Sequence, residues 1–212
     1  MAREGFPAFV LAALLIGCGG SEHDTTDPGL GKKPGQGPPP NAVGGFAIEL
    51  ERVTLKPGDE ITPCTLFPLE LAGPSRFVNG AVLRTGKGLH HGNITTRPKT
   101  GEGIRPCDPE TVDGGSEALD IVQGGAVLFG SSTQVEGEEW RRFPNDMAYR
   151  IKDDFEIVAR MHYLNTTPSP LDVTPSYEWF TIPEDQVSEE IAPIFWAIGG
   201  FEIPPKSEYT LA

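Results

Sequence analysis

Three of the chain's four histidines fall in two short clusters. These are Leu89-His90-His91-Gly92-Asn93-Ile94 and Ala159-Arg160-Met161-His162-Tyr163-Leu164-Asn165; the fourth, His23, lies in a polar, Gly/Pro-rich stretch. Imidazole is the natural neutral nitrogen donor for copper, zinc, nickel or iron. Three nitrogen donors with no carboxylate nearby in sequence suit copper better than magnesium or calcium, and suit zinc as well. The competing reading is that these imidazoles hydrogen-bond to backbone carbonyls.

Bringing the three rings together sets a demand on the backbone. On a regular strand His90 and His91 point to opposite faces. Both reach one ion only if the chain kinks there, and Gly86, Gly88 and Gly92 could permit a bulge. His162 would join from a strand over Phe155–Leu164, in which Ile157, Ala159 and Met161 alternate with Val158, Arg160 and His162.

The elements that must hold these residues read as strands. Phe46, Ile48 and Leu50 alternate with Ala47, Glu49 and Glu51, and Lys56-Pro57-Gly58-Asp59 supplies turn chemistry. Further short strands are expected at Ile61–Leu66, Phe77–Arg84, Gly92–Thr96, Ala118–Phe129, Ala148–Ile151, Phe155–Leu164 and Leu171–Ile182. No segment carries a sustained 3.6-residue apolar stripe with caps at both ends. With 26 Gly and 21 Pro among 212 residues, helix breakers exceed a fifth of the chain, against roughly 12% in soluble domains. A helical bundle is thereby excluded. The expected fold is an all-β, antiparallel, Greek-key or jelly-roll-like β-sandwich behind a disordered amino-terminal tether. The charge balance, 17 Lys+Arg against 30 Asp+Glu, gives −13, which repels phosphate backbones and argues against a nucleic-acid partner.

The amino terminus reads as an address. Residues 1–17 carry Arg3 and the apolar run Phe9–Ile16, too short for a permanent span but right for export. Leu15-Ile16-Gly17-Cys18 resembles a bacterial lipobox, which implies cleavage before Cys18, lipidation of its sulfur and anchoring in a membrane. Residue 19 is Gly rather than Asp, favouring the outer membrane of a bacterial envelope. The stretch 18–45 is the expected tether: Asp27–Gly45 holds 11 Gly or Pro in 19 residues, too little apolar surface to offset ordering entropy. Removing Cys18 from the three cysteines leaves Cys64 and Cys107, an even pair in an oxidising compartment. A disulfide is the expected state, with unpaired thiols or thiolate ligands as alternatives that lack a CxxC spacing.

The order Cys64, His90-His91, Cys107, Met161-His162-Tyr163-Leu164-Asn165 resembles the first domain of the copper type II, ascorbate-dependent monooxygenases, the family of peptidylglycine α-hydroxylating and dopamine β-monooxygenase. Pro144-Asn145-Asp146-Met147-Ala148-Tyr149 and the run Phe155–Asn165 also look like that family's approach to its third histidine. The resemblance spans Phe46–Ala212. It implies that His90, His91 and His162 bind a copper that stores an electron from ascorbate, in a two-domain enzyme that hydroxylates a C–H bond with O₂, and that Cys64 and Cys107 form a disulfide. A sandwich domain over 46–197 is then expected, with 198–212 opening a second domain.

The O₂-activating site of that family needs two further histidines and a methionine. No His follows His162 and no Met follows Met161. The expectation is therefore a fragment, a truncated product or half of a split enzyme, with the second copper domain missing or supplied by another chain. By itself it would bind copper without turnover; its substrate, a small molecule or a peptide, is not specified. The alternative is a non-enzymatic copper-binding or electron-transfer lipoprotein. Ser131-Ser132 has no nearby His and there is no GxSxG elbow. Asp113-Gly114-Gly115 and Gln123-Gly124-Gly125 lack phosphate-loop context and read as turns. Acid runs Glu136–Glu139 and Glu184–Glu190 read as solvated edges. Trp140, Trp179 and Trp196 read as core or cleft-wall residues.

Overall fold

The computed structural model describes residues 36–108 and 125–192. The expected signal peptide, Cys18, most of the tether, Trp196 and the expected start of a second domain lie outside them. Within them the chain forms fourteen strands and a single 3-10 turn, Glu184–Gln186. The strands are β1 (Gly44–Glu49), β2 (Val53–Leu55), β3 (Glu60–Ile61), β4 (Cys64–Pro68), β5 (Phe77–Thr85), β6 (Leu89–Pro98) and β7 (Arg105–Pro106). They continue as β8 (Val127–Gly130), β9 (Gly137–Arg142), β10 (Met147–Arg150), β11 (Phe155–Leu164), β12 (Leu171–Val173), β13 (Ser176–Ile182) and β14 (Glu189–Glu190).

Two mainly antiparallel sheets pack face to face, as the all-β reading expects. One runs β1-β13-β5-β10-β14, with β9 also paired to β5. The other runs β7-β4-β11-β6-β8, with β3 added at the end of β11, and β12 with β2 makes a separate ribbon. Period-two patterning drives the packing. On β13, Tyr177, Trp179 and Thr181 are buried while Ser176, Glu178 and Phe180 are half-exposed. On β11, Ile157, Ala159, Met161 and Tyr163 enter the core between the sheets, joined there by Phe46, Ile48, Leu83 and Ile94. Trp179 is fully enclosed and stacks on Phe46 at 4.7 Å between ring centres. Its Nε1–H donates to the Leu128 carbonyl at 3.1 Å, and the Tyr149 hydroxyl donates to that same oxygen at 3.3 Å. One carbonyl of β8 thus satisfies two aromatic donors from the facing sheet, which fixes the sheets relative to each other as well as burying area.

The departures from the sequence reading have local causes. The strand expected at Ile61–Leu66 divides into β3 and β4 at Thr62-Pro63, because proline cannot donate to a ladder. The strand expected at Leu171–Ile182 divides likewise at Thr174-Pro175, where the Pro175 carbonyl accepts from the Leu50 amide at 3.0 Å. Of the long Ala118–Phe129 expectation only Val127–Phe129, within β8, is described strand; 125–126 are not strand and 109–124 lie outside the described residues.

Two expectations are corrected. The run Glu136–Glu139 is not a solvated edge throughout: Gly137–Arg142 is β9, and Glu139 is buried. Its carboxylate accepts from the Ser132 amide at 3.0–3.1 Å and the Ser132 hydroxyl at 2.6 Å, and it pairs with Arg141. The tether ends before Gly45. The Val43 amide donates to the Thr181 carbonyl at 2.8 Å, Asn41 bonds Gln186 at 2.8 Å, and β1 starts at Gly44. Backbone pairing along β13 supplies what this segment lacks in apolar side chains.

Cys64 and Cys107 are joined in a disulfide. It sits on the outer face of the second sheet beside Leu66 and Val158 and ties β4 to the segment after β7. Next to it Glu156 is almost wholly buried. It accepts from Arg97 at 2.9 Å, Arg105 at 2.7 Å and Thr100 at 3.0 Å.

Candidate metal centre on the outer face of the second sheet

Strand β11 carries His162 on the face opposite the core, in the alternation with Met161 and Tyr163 that the sequence shows. Along β6 the pairing runs Met161 with Gly92 and His162 with His91, then jumps to Tyr163 with Leu89. His90 is therefore the extra residue of a β-bulge. This is the kink that the adjacent pair demands, since a bulge re-aims a side chain that regular pleating would send to the other face. His91 and His162 are directly opposed, so they share a face. His90 joins them. Ring centres stand 5.2 Å apart for His90 and His91, 4.8 Å for His90 and His162, and 4.8 Å for His91 and His162.

Of the three glycines proposed to permit the kink, two are required. Gly88 has φ of +109°, open to glycine at little cost. A methyl group on Gly92 would lie 2.5 Å from the Met161 methyl and 2.6 Å from the Tyr177 hydroxyl. Gly86 has open space around its α-carbon and no such role. The loop after β8 clamps the bulge from its other side. The Gln134 amide donates to the His90 carbonyl at 2.6 Å and the Ser131 amide to the Gly92 carbonyl at 3.0 Å; the Ser131 hydroxyl accepts from the Gly92 amide at 2.7 Å. Ser131 thus shapes the backbone under the histidines.

The electrostatics favour a neutral His91. Desolvation, followed by the neighbouring His90 and His162 rings, lowers the pKa of His91 below its ordinary value. The Nδ1 atoms of both His90 and His91 are enclosed and meet no hydrogen-bond partner. His162 is bonded through Nε2 to the Glu60 carboxylate at 2.7 Å. An ionised carboxylate only accepts, so the proton is on Nε2 and the free lone pair of neutral His162 is on Nδ1. Enclosed polar atoms without partners are costly and call for an explanation such as an ion.

Imidazoles that bind one ion at about 2.0–2.1 Å place their ring centres roughly 5 Å apart, the spacing found here. Among the described residues no group of three or more His, Cys, Asp or Glu stands so that it could hold a metal ion; the three rings lie 4.8–5.2 Å apart, centre to centre. The ring separation and the two partnerless nitrogens are the features that a three-imidazole centre would use.

A shallow hollow opens beside His91 and His162, lined also by Thr62, Cys64, Asn93 and Arg160. Arg160 donates to Thr95 at 3.3 Å. The sequence reading missed Glu60. Its position at the end of the Lys56–Asp59 turn was legible, but its partner lies 102 residues away. Cys18 lies outside the described residues. No protein-family model matches the chain, and no curated protein matches its sequence. Fold and site define an all-β sandwich with a histidine cluster on one outer face.

Proposed function

We propose that His90, His91 and His162 bind a single copper ion and that this domain serves as the electron-storing part of an ascorbate-dependent copper monooxygenase. The observation that carries the reading is the bulge at His90, which gathers three rings from two strands and leaves two enclosed Nδ1 atoms without partners. Copper bound there would supply one-electron storage, because imidazole ligands serve both its oxidation states. The chain's own residues do the rest. The bulge orients His90 and His91, Gly92 lets the strand lie close to Met161 and Tyr177, and desolvation keeps His91 neutral and able to donate a lone pair.

The order of motifs supports assignment to the monooxygenase class. The disulfide supports an oxidising compartment, in keeping with export and lipid anchoring through Cys18 to a bacterial outer membrane. The second reading, a copper-binding or electron-transfer lipoprotein without oxygen chemistry, is favoured by the confinement of the described histidines to one cluster.

The test is metal titration of the metal-free protein with Cu(I), Cu(II) and Zn(II), followed by paramagnetic resonance of the Cu(II) form. The expected result is one copper per chain with nitrogen hyperfine structure, abolished in His162→Ala. Full copper retention in that variant would refute the ligand set, and a strong preference for zinc would refute the redox role. Ascorbate-dependent oxygen consumption on adding a second copper domain would separate the enzyme from the carrier.

A further inference from the structure

Strand β3 pairs with the end of β11, Glu60 opposite Leu164 and Ile61 opposite Tyr163. Leu164 and His162 are two residues apart and share a face, so Glu60 is the diagonal neighbour of His162 across the ladder. Diagonal pairs of this kind are within reach of long side chains. The Glu60 Oε1 to His162 Nε2 distance of 2.7 Å is that of a charge-assisted bond. Glu60 is more than half exposed, and His162 is the more enclosed partner, at 23%. The carboxylate therefore approaches the ring from the solvent side.

We propose that Glu60 is a positioning residue for the metal centre. Its carboxylate holds His162 as the Nε2–H tautomer and so commits Nδ1 to the ion, the same atom that His90 and His91 leave without a partner. Three nitrogens of one kind then form the donor set. A carboxylate one ring away from the ion also makes the imidazole a stronger donor, which favours Cu(II) over Cu(I). Metal-bound histidines commonly give their other N–H to a carboxylate or carbonyl, and loss of that partner costs about 10–100-fold in affinity. This rests on the copper reading above, and it adds a residue contributed by a strand outside both histidine clusters.

The experiment uses the full chain and the variants Glu60→Gln and Glu60→Ala. Long-range proton–nitrogen NMR on the metal-free protein reports which ring nitrogen of His162 holds the proton. Competition titrations then give Cu(I) and Cu(II) affinities. The wild type is expected to show the Nε2–H tautomer. Glu60→Gln, which keeps an acceptor and removes the charge, should retain that tautomer and lose about tenfold in Cu(II) affinity relative to Cu(I), a rise in potential of about 59 mV. Glu60→Ala should show mixed tautomers and a larger loss. An Nδ1–H tautomer in the wild type overturns the proposal. So does an unchanged tautomer and Cu(II)/Cu(I) ratio in Glu60→Ala with copper still bound. A wild type that shows Nε2–H but takes up no copper refutes the copper reading, and with it the redox effect of Glu60. Because Glu60 is exposed on a two-residue strand, amide spectra that superimpose on those of the wild type are expected for both variants.

Discussion

His91 and His162 face each other across the β6–β11 ladder, and His90, next to His91 in sequence, has no ladder partner. That relation makes the cluster depend on backbone irregularity, which Gly92 permits. Gly92→Ala would force a methyl to 2.5 Å from Met161 and 2.6 Å from Tyr177. Overpacking of this kind costs about 1–3 kcal/mol. A lowered denaturation midpoint, together with weakened copper binding, is the expected outcome. Met161→Ala in the same chain should recover part of the copper affinity by making room. A Gly92→Ala protein as stable as the wild type would show that the close approach is relaxed in solution.

The pH dependence of the metal-free protein follows from His91. Its pKa is lowered in the folded state, so between that value and the unfolded value of about 6.5 the unfolded chain binds more protons. Stability is then undiminished above about pH 6.5 and falls as pH drops through the folded value. His91→Gln should flatten the stability profile in that window. Copper uptake should weaken over the same range, because the ligands must be neutral. Denaturant titrations at a series of pH values check the first effect and copper titrations the second.

Much of the architecture was legible because the outer and inner faces of each strand differ in polarity. Phe155–Leu164 is a strand with the bounds its alternation suggests, and the demand for a kink at the histidine pair followed from pleat geometry alone. What failed to show were features set by long-range partners. Glu139 reads as part of an acidic surface run, yet Ser132 and Arg141 make its burial possible. Glu60 lies between the Lys56–Asp59 turn and the strand expected from Ile61, and its contact with His162 depends on pairing with a strand about a hundred residues on. Val43 and Gly44 sit in a Gly/Pro-rich run and are ordered by β13.

Glu156 sits on the same face of β11 as His162 and offers a second probe of that face. Burial raises its pKa, and the bonds from Arg97, Arg105 and Thr100 outweigh this, leaving the carboxyl below its ordinary value. Its stabilising contribution is therefore present above the ordinary value of about 4.5 and is lost as pH falls through the folded value. Glu156→Ala leaves Arg97 buried with only the exposed Asp108 carboxylate, 3.6 Å away, as an ionic partner, a loss of about 3–5 kcal/mol. The double variant Glu156→Ala, Arg97→Met should be more stable than Glu156→Ala alone, because the more deeply buried of the two stranded guanidinium groups is gone. Chemical denaturation of the three proteins decides it; equal losses in the single and double variants would mean that Arg97 reaches solvent when freed.

The Cys64–Cys107 bridge separates scaffold from site. Cys64 pairs with Arg160 in the β4–β11 ladder, and the Met161 amide donates to the Pro63 carbonyl at 3.0 Å, so the bridge abuts the histidine strand. Those backbone bonds do not need the sulfur–sulfur link. The bridge closes a separation of 43 residues, for which a stabilisation of about 2–4 kcal/mol is typical. The Cys64→Ser, Cys107→Ser protein should therefore show a lower denaturation midpoint while keeping one copper per chain and the same paramagnetic spectrum. Loss of copper in a still-folded double variant would mean that the bridge holds β4 and β3 in register against β11, and that Glu60 reaches His162 only because of it.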